Sequence, residues 1–132
     1  MTVDVNVDLT DRYTQEQIDH LEEQLLVKMK ETIEPKLHEL IMNMKSENVN
    51  FMMLSFEQKY AFYKIVMHIE DCKKQVAKMR SKSSKSAFLK PLSHITLNGG
   101  AGTGKTTLMK FVVDYMRITN QISHMVSATP HH

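Results

Sequence analysis

Gly99-Gly100-Ala101-Gly102-Thr103-Gly104-Lys105-Thr106-Thr107 is the stretch whose residue types and spacing could do chemistry. From Gly99 to Thr106 it fits the pattern G-x-x-x-x-G-K-[ST] without a mismatch. Glycines let a backbone wrap closely around a polyphosphate, with successive N–H groups turned inward as donors. A helix starting behind such a loop adds its unsatisfied N-terminal N–H groups and the positive end of its dipole. Lys105 is placed to reach the β- and γ-phosphates, and the Thr106 hydroxyl to ligand Mg²⁺. The chemistry is that of a nucleoside triphosphate; the pattern alone names neither the base nor the purpose. A flexible glycine-rich linker that happens to contain Lys-Thr is the plain alternative.

Such a loop needs a strand before it and a helix after it. Residues 95–98 form a short apolar run ending in Asn98, and Leu108, Phe111, Val112 and Val113 mark a helix over about 105–118. An Asn120-Gln121 turn and a strand over 122–128 follow. Two strands flanking a helix are the βαβ unit of a parallel sheet.

The upstream half reads as helical. Thr14 and Gln17 stand at capping-box spacing, and Ile18, Leu21, Leu25, Met29 and Ile33 run behind them at helical steps. Pro35 removes a backbone donor and crowds the preceding turn, yet the stripe resumes at Leu37, Leu40, Ile41 and Met44. Two helices are expected, about 15–33 and 35–45, kinked or broken at Pro35. Residues 14–45 suggest a helical partner by their spacing, with packing on their own domain as the blander choice. Residues 46–54 read as a polar turn and a short apolar run. Ser55 and Gln58 then open an amphipathic helix of about 24 residues carrying Phe62, Ile65, Val66, Ile69, Cys72, Val76 and Met79. Residues 81–86 are a Ser/Lys linker by composition. Residues 1–13 alternate in strand fashion with no evident partner, so a frayed or extended tail is expected.

Leu54-Ser55-Phe56-Glu57-Gln58-Lys59-Tyr60-Ala61-Phe62, upstream of the glycine-rich loop, completes a motif pair. Together the two segments resemble the start of superfamily 1 DNA helicases of the Pif, RecD and Dda type. The resemblance runs from about Leu54 onward; residues 1–50 match no recognisable pattern. It implies an α/β fold, the start of a P-loop (RecA-like) parallel sheet domain preceded by an α-helical N-terminal region. Its division is 1–50, an N-terminal helical extension, and 51–132, the incomplete N-terminal part of a helicase ATPase domain. It further implies ATP and Mg²⁺ as cofactors, Gln58 in contact with adenine, and single-stranded DNA touched by Thr129, Pro130 and His131. For Gln58 the residues themselves offer a second role, as the partner that closes the cap on Ser55.

The resemblance is incomplete. An ATPase of this kind needs a later acidic segment for Mg²⁺ and the attacking water, and arginines for the transition state. After the loop the only acid is Asp114 and the only arginine Arg117, both inside the expected helix. Glu70-Asp71 precede the loop on a helix and are rejected as the acidic site. Residues 1–132 are therefore expected to be a helicase fragment that binds ATP without turning it over. The alternatives are a helical interaction module with a vestigial loop, or another P-loop enzyme such as a small-molecule kinase. A GTPase would carry N-K-x-D, which is missing.

Composition sets the outer limits. A length of 132 residues, with 42% apolar and 24% charged, suits one ordinary globular domain. Net charge is +2, but it is unevenly spread: seven acids face one base, Arg12, over 4–23, and seven bases face no acid over 73–90. The basic run is expected to be a solvated loop or a phosphate-contacting one. One cysteine excludes an internal disulfide and suggests an intracellular chain, and the helicase resemblance implies the nucleus in a eukaryote; Cys72 is expected in the core. The apolar runs are too short for a membrane span, and the eleven methionines read as core filler.

Overall fold

The computed structural model describes residues 3–9, 13–82, 93–99, 104–120 and 124–128. In chain order the elements are β1 (Val3–Asp8), α1 (Gln15–Thr32), α2 (Pro35–Asn43), the short strands β2 (Lys45–Ser46) and β3 (Val49–Asn50), and a 3-10 turn (Phe51–Met53). Then come α3 (Phe56–Lys82), β4 (Ser93–Asn98), α4 (Lys105–Ile118) and β5 (His124–Ala128). The fold is mixed α/β and mostly helical. No helix among the described residues is long and apolar enough to cross a membrane.

The main sheet has three strands in the order β1-β4-β5, all parallel. Val3 stands opposite Ser93 and Asp8 opposite Asn98; on the other side Ser93 meets His124. The expected N-terminal tail is thus corrected. Residues 3–8 pair with the strand that leads into the glycine-rich loop, and the Leu9 N–H extends the ladder to the Asn98 carbonyl at 2.7 Å. Burial explains it: pairing places Val7 in one core with Ile95 and Leu97, which are fully buried.

Parallel strands covered on both faces read as continuous apolar runs, but these alternate. Val7, Ile95 and Leu97 are buried, whereas Asn6 is exposed and His94, Thr96, Asn98 and Ser127 are half-buried. On that polar side His94 Nε2 lies 2.8 Å from Ser127 Oγ.

The helix boundaries follow local chemistry. At α1 the Thr14 Oγ1 accepts from the Gln17 N–H at 3.2 Å, and Gln17 Oε1 accepts from the Thr14 N–H at 2.9 Å. At Pro35 the helix breaks rather than kinks. Ile33 and Glu34 are held extended, with ψ of 136° and 137°, and Pro35 becomes the first residue of α2. Residues 46–54 resolve into a β2–β3 hairpin and the 3-10 turn. Glu47 and Asn48 take φ of 50° and 67°, the left-handed pair that a two-residue hairpin favours.

α3 runs 27 residues, through Ser81 and Lys82, so the start of the supposed linker is helical. Lysine is a good helix former and serine a tolerated one, which composition alone does not show. Exposed Lys73, Lys74 and Lys78 thus ride on a helix rather than in a loop; residues 83–90 lie outside the described residues. Cys72 is half-buried rather than in the core, with Sγ 3.6 Å from His68 Nε2. Burial, helped by Asp71, pushes its thiol pKa up; burial lowers that of His68 against the pull of Asp71.

Residues on both sides of position 50 share one core, centred on Phe62 of α3. Its ring meets Phe51 at 5.9 Å, Phe111 at 6.0 Å and Tyr115 at 5.8 Å, the last two edge-to-face. The Tyr115 hydroxyl donates to Glu70 Oε2 at 3.0 Å; burial, then the Glu70 charge, pushes its pKa far above the ordinary value.

One buried cation ties α1 to α3. Lys59, 3% exposed, pairs with Glu22, whose side chain is 28% exposed. Glu22→Ala leaves the ammonium buried without its carboxylate and is expected to cost about 2–3 kcal/mol, less than a fully buried pair because Glu22 is part-solvated. Lys59→Met removes the charge and keeps the stem, so it should cost less than half as much. Urea unfolding of both variants checks the order.

Candidate functional site

β4 delivers Gly99 at its end, and α4 begins at Lys105 behind Gly104. Of the predicted site residues, Gly100, Ala101, Gly102 and Thr103 lie outside the described residues, as do Thr129, Pro130 and His131. Gly99, Gly104, Lys105, Thr106, Thr107 and Gln58 are described.

Gly104 has φ 75° and ψ 25°, a left-handed conformation that glycine takes without strain. Its carbonyl accepts two hydrogen bonds. One comes from the Leu108 N–H at 3.1 Å and opens the α4 ladder. The other comes from Gln58 Nε2, also at 3.1 Å, across 46 residues of sequence. A Cβ on Gly104 would stand 2.1 Å from that Nε2, so the missing side chain is the space the glutamine occupies.

Gln58 itself sits in the first turn of α3. Its Oε1 accepts from the Ser55 N–H at 2.8 Å, while its own N–H donates to Ser55 Oγ at 3.2 Å. The capping box expected from spacing is therefore present, and the same side chain reaches the loop. The amide's orientation follows from these partners. Exchanging its O and N would set donor against donor at Ser55 and acceptor against acceptor at Gly104.

Lys105 is 2% exposed at the first turn of α4, Thr106 is exposed and Thr107 half-buried. That turn carries no acid, so nothing in it opposes the positive end of the helix dipole. A cation held out of water attracts a phosphate more strongly than a solvated one does.

Asp8 ends β1 opposite Asn98, one residue before Gly99, whereas the acids considered from the sequence lie away from the loop. Asp114 lies nine residues along α4 from Lys105, about 14 Å at the helical rise, and pairs with Arg117 at 3.4 Å. Glu70 is twelve residues along α3 from Gln58, about 18 Å, and serves Tyr115. Among the described residues no three His, Cys, Asp or Glu side chains stand together as a metal site. Open grooves of about 430 and 480 Å³ lie elsewhere, one between the β2–β3 hairpin and α4, the other by the α1–α2 corner and α3.

The Gln58–Gly104 bond is the part of the site that residue spacing did not show. The Ser55–Gln58 box was readable; the reach to Gly104 depends on how α3 packs against α4. Comparison with protein-family models, with curated proteins and with solved structures finds no match for this chain.

Proposed function

We propose that this chain binds ATP with Mg²⁺ at residues 99–107, as the N-terminal part of a superfamily 1 DNA helicase ATPase domain. The observation that carries the reading is the mismatch-free G-x-x-x-x-G-K-[ST] sequence at a strand-to-helix junction, its last glycine left-handed at the start of α4. Gln58, from the second motif of the resemblance, is bonded to that same glycine. Lys105 neutralises phosphate charge, and the first N–H groups of α4 donate to phosphate oxygens. The exposed Thr106 hydroxyl suits Mg²⁺ as one oxygen ligand, the metal's other oxygens coming from phosphate and water. Bound there, Mg²⁺ would offset charge on the phosphates. Thr129, Pro130 and His131 are the proposed contact with single-stranded DNA.

Binding is expected without turnover. Asp114 and Glu70 lie far along their helices and are engaged elsewhere, and Asp71 is exposed beside Glu70 on α3. Loss of an arginine finger alone can lower such a rate by about 10³–10⁵, and Arg117, the arginine that follows the loop, pairs with Asp114 on α4. A phosphate-release assay on residues 1–132 tests this, with equilibrium dialysis against ATP-Mg in parallel. Retention of ATP with no release is the expected pair of results. Turnover near one per second, lost in Lys105→Ala, would place a working acid within these residues.

A further inference from the structure

Phe56, Tyr60 and Lys64 recur at steps of four from the start of α3, so they share one face of that helix. Tyr13, just before the α1 cap, brings a third ring to the same face. Its ring meets Phe56 at 5.5 Å, nearly perpendicular, and Phe56 meets Tyr60 at 5.8 Å. Phe56 is buried beneath, whereas Tyr13 is 36% and Tyr60 40% exposed, so two of the three rings reach solvent. Together with Glu57 and Lys64 the rings line one small pocket.

An aromatic face carries negative potential, and a cation within about 6 Å of its centre is attracted to it. Lys64 Nζ stands 4.3 Å from the centre of the Tyr60 ring. The pocket thus already takes a cation, supplied by the chain itself. With that ammonium seated, about 20 Å³ remains, the room of about one water. A second cation therefore enters only where the first one leaves.

Lys64 is poorly held there. Its ammonium is strongly hydrated, and its three N–H donors are better served by water than by a ring. Lys64 is exposed, on a flexible stem that can swing its charge into solvent. A trimethylammonium group carries the same charge with an apolar surface and no donor to leave unpaired. It gains the ring faces and the nearby Glu57 carboxylate without surrendering hydrogen bonds to water.

We propose that Tyr13, Phe56, Glu57 and Tyr60 form a site for a trimethylammonium group, which enters as Lys64 swings out. Nucleotide binding at residues 99–107 is not required for it.

The test titrates residues 1–132 with choline, with a short peptide bearing N-trimethyl-lysine, and with the uncharged tert-butyl analogue of choline. Upfield movement of the ligand methyl protons reports their seating against the rings. Choline should bind about two- to fivefold more tightly than its uncharged analogue, the scale of one exposed cation–π contact. The tighter of choline and peptide names the source of the group, a free amine or a methylated side chain. Lys64→Ala empties the pocket at an exposed helical position that alanine suits, and should tighten both cations by a similar factor. Lys73→Ala, at an exposed lysine off that face of α3, should change neither. Tyr60→Leu keeps an apolar side chain without the ring, and should bring choline down to its uncharged analogue.

Equal binding of choline and the analogue by wild type would make the pocket an apolar patch and overturn the proposal. Lys64→Ala binding no more tightly than wild type would mean that the lysine does not hold the place, and would overturn it too. No binding of either cation by folded Lys64→Ala would do the same.

Discussion

Gly104→Ala should destabilise the chain by about 2–3 kcal/mol, although it adds one methyl group to a surface turn. A left-handed alanine costs about 1–2 kcal/mol more than a glycine. The new Cβ would also stand 2.1 Å from Gln58 Nε2, so the glutamine must withdraw and its bond to the Gly104 carbonyl is lost, about 1 kcal/mol more. A stiffer unfolded chain returns a few tenths of a kcal/mol. Thermal denaturation should show a midpoint lower by roughly 5–10 °C for a chain of this length. The double variant Gly104→Ala/Gln58→Ala separates the two terms. With the glutamine already removed, only the backbone strain remains, and Gly104→Ala should cost about 1 kcal/mol less. Equal costs in both backgrounds would mean that Gln58 does not fill the space beside Gly104.

Phe62→Ala should have the larger effect on stability, about 3–5 kcal/mol, the range for emptying a buried aromatic site. Phe62 is fully buried and its ring touches three others, from the 3-10 turn and from α4. Its removal therefore loosens the contact between the upstream helices and the helix behind the loop. A domain's whole stability is about 5–15 kcal/mol, so the variant should sit near the edge of folding. Urea unfolding should show a lower midpoint with an unchanged slope. Met52→Ala, at a residue 50% exposed one position from buried Phe51, is the matched control and should stay within about 0.5 kcal/mol of wild type. A cost below about 1 kcal/mol for Phe62→Ala would contradict the packing described.

The helices were legible because their signals are local. The Thr14–Gln17 box, Pro35 and the apolar steps of three and four set α1, α2 and α4 to within two residues of expectation. β1 was half legible. Its alternation marks a strand, but its partner Ser93–Asn98 lies some 90 residues away, and spacing does not encode a pairing at that distance. The 3-10 turn Phe51–Met53 was too short to carry a period. The methionines divide: Met29 and Met44 fill the core, while Met52 and Met53 are exposed on that turn. At the site, Gly104, Lys105 and Thr106 were readable from the motif, and Gln58 from its cap. The bond between Gln58 and Gly104 needed the packing of α3 on α4, which a rigid core supplies and a local motif does not.

The most direct measurement is calorimetric titration of ATP-Mg into residues 1–132, wild type against Lys105→Met. Methionine keeps most of the buried stem of Lys105, which is 2% exposed, and removes only the charge that phosphate requires. Circular dichroism on both proteins confirms that each is folded at the titration temperature. Wild type should release binding heat at one site per chain, and Lys105→Met should release none under the same conditions. Equal binding by both proteins, or no binding by a folded wild type, would contradict the assignment of residues 99–107 as the nucleotide site.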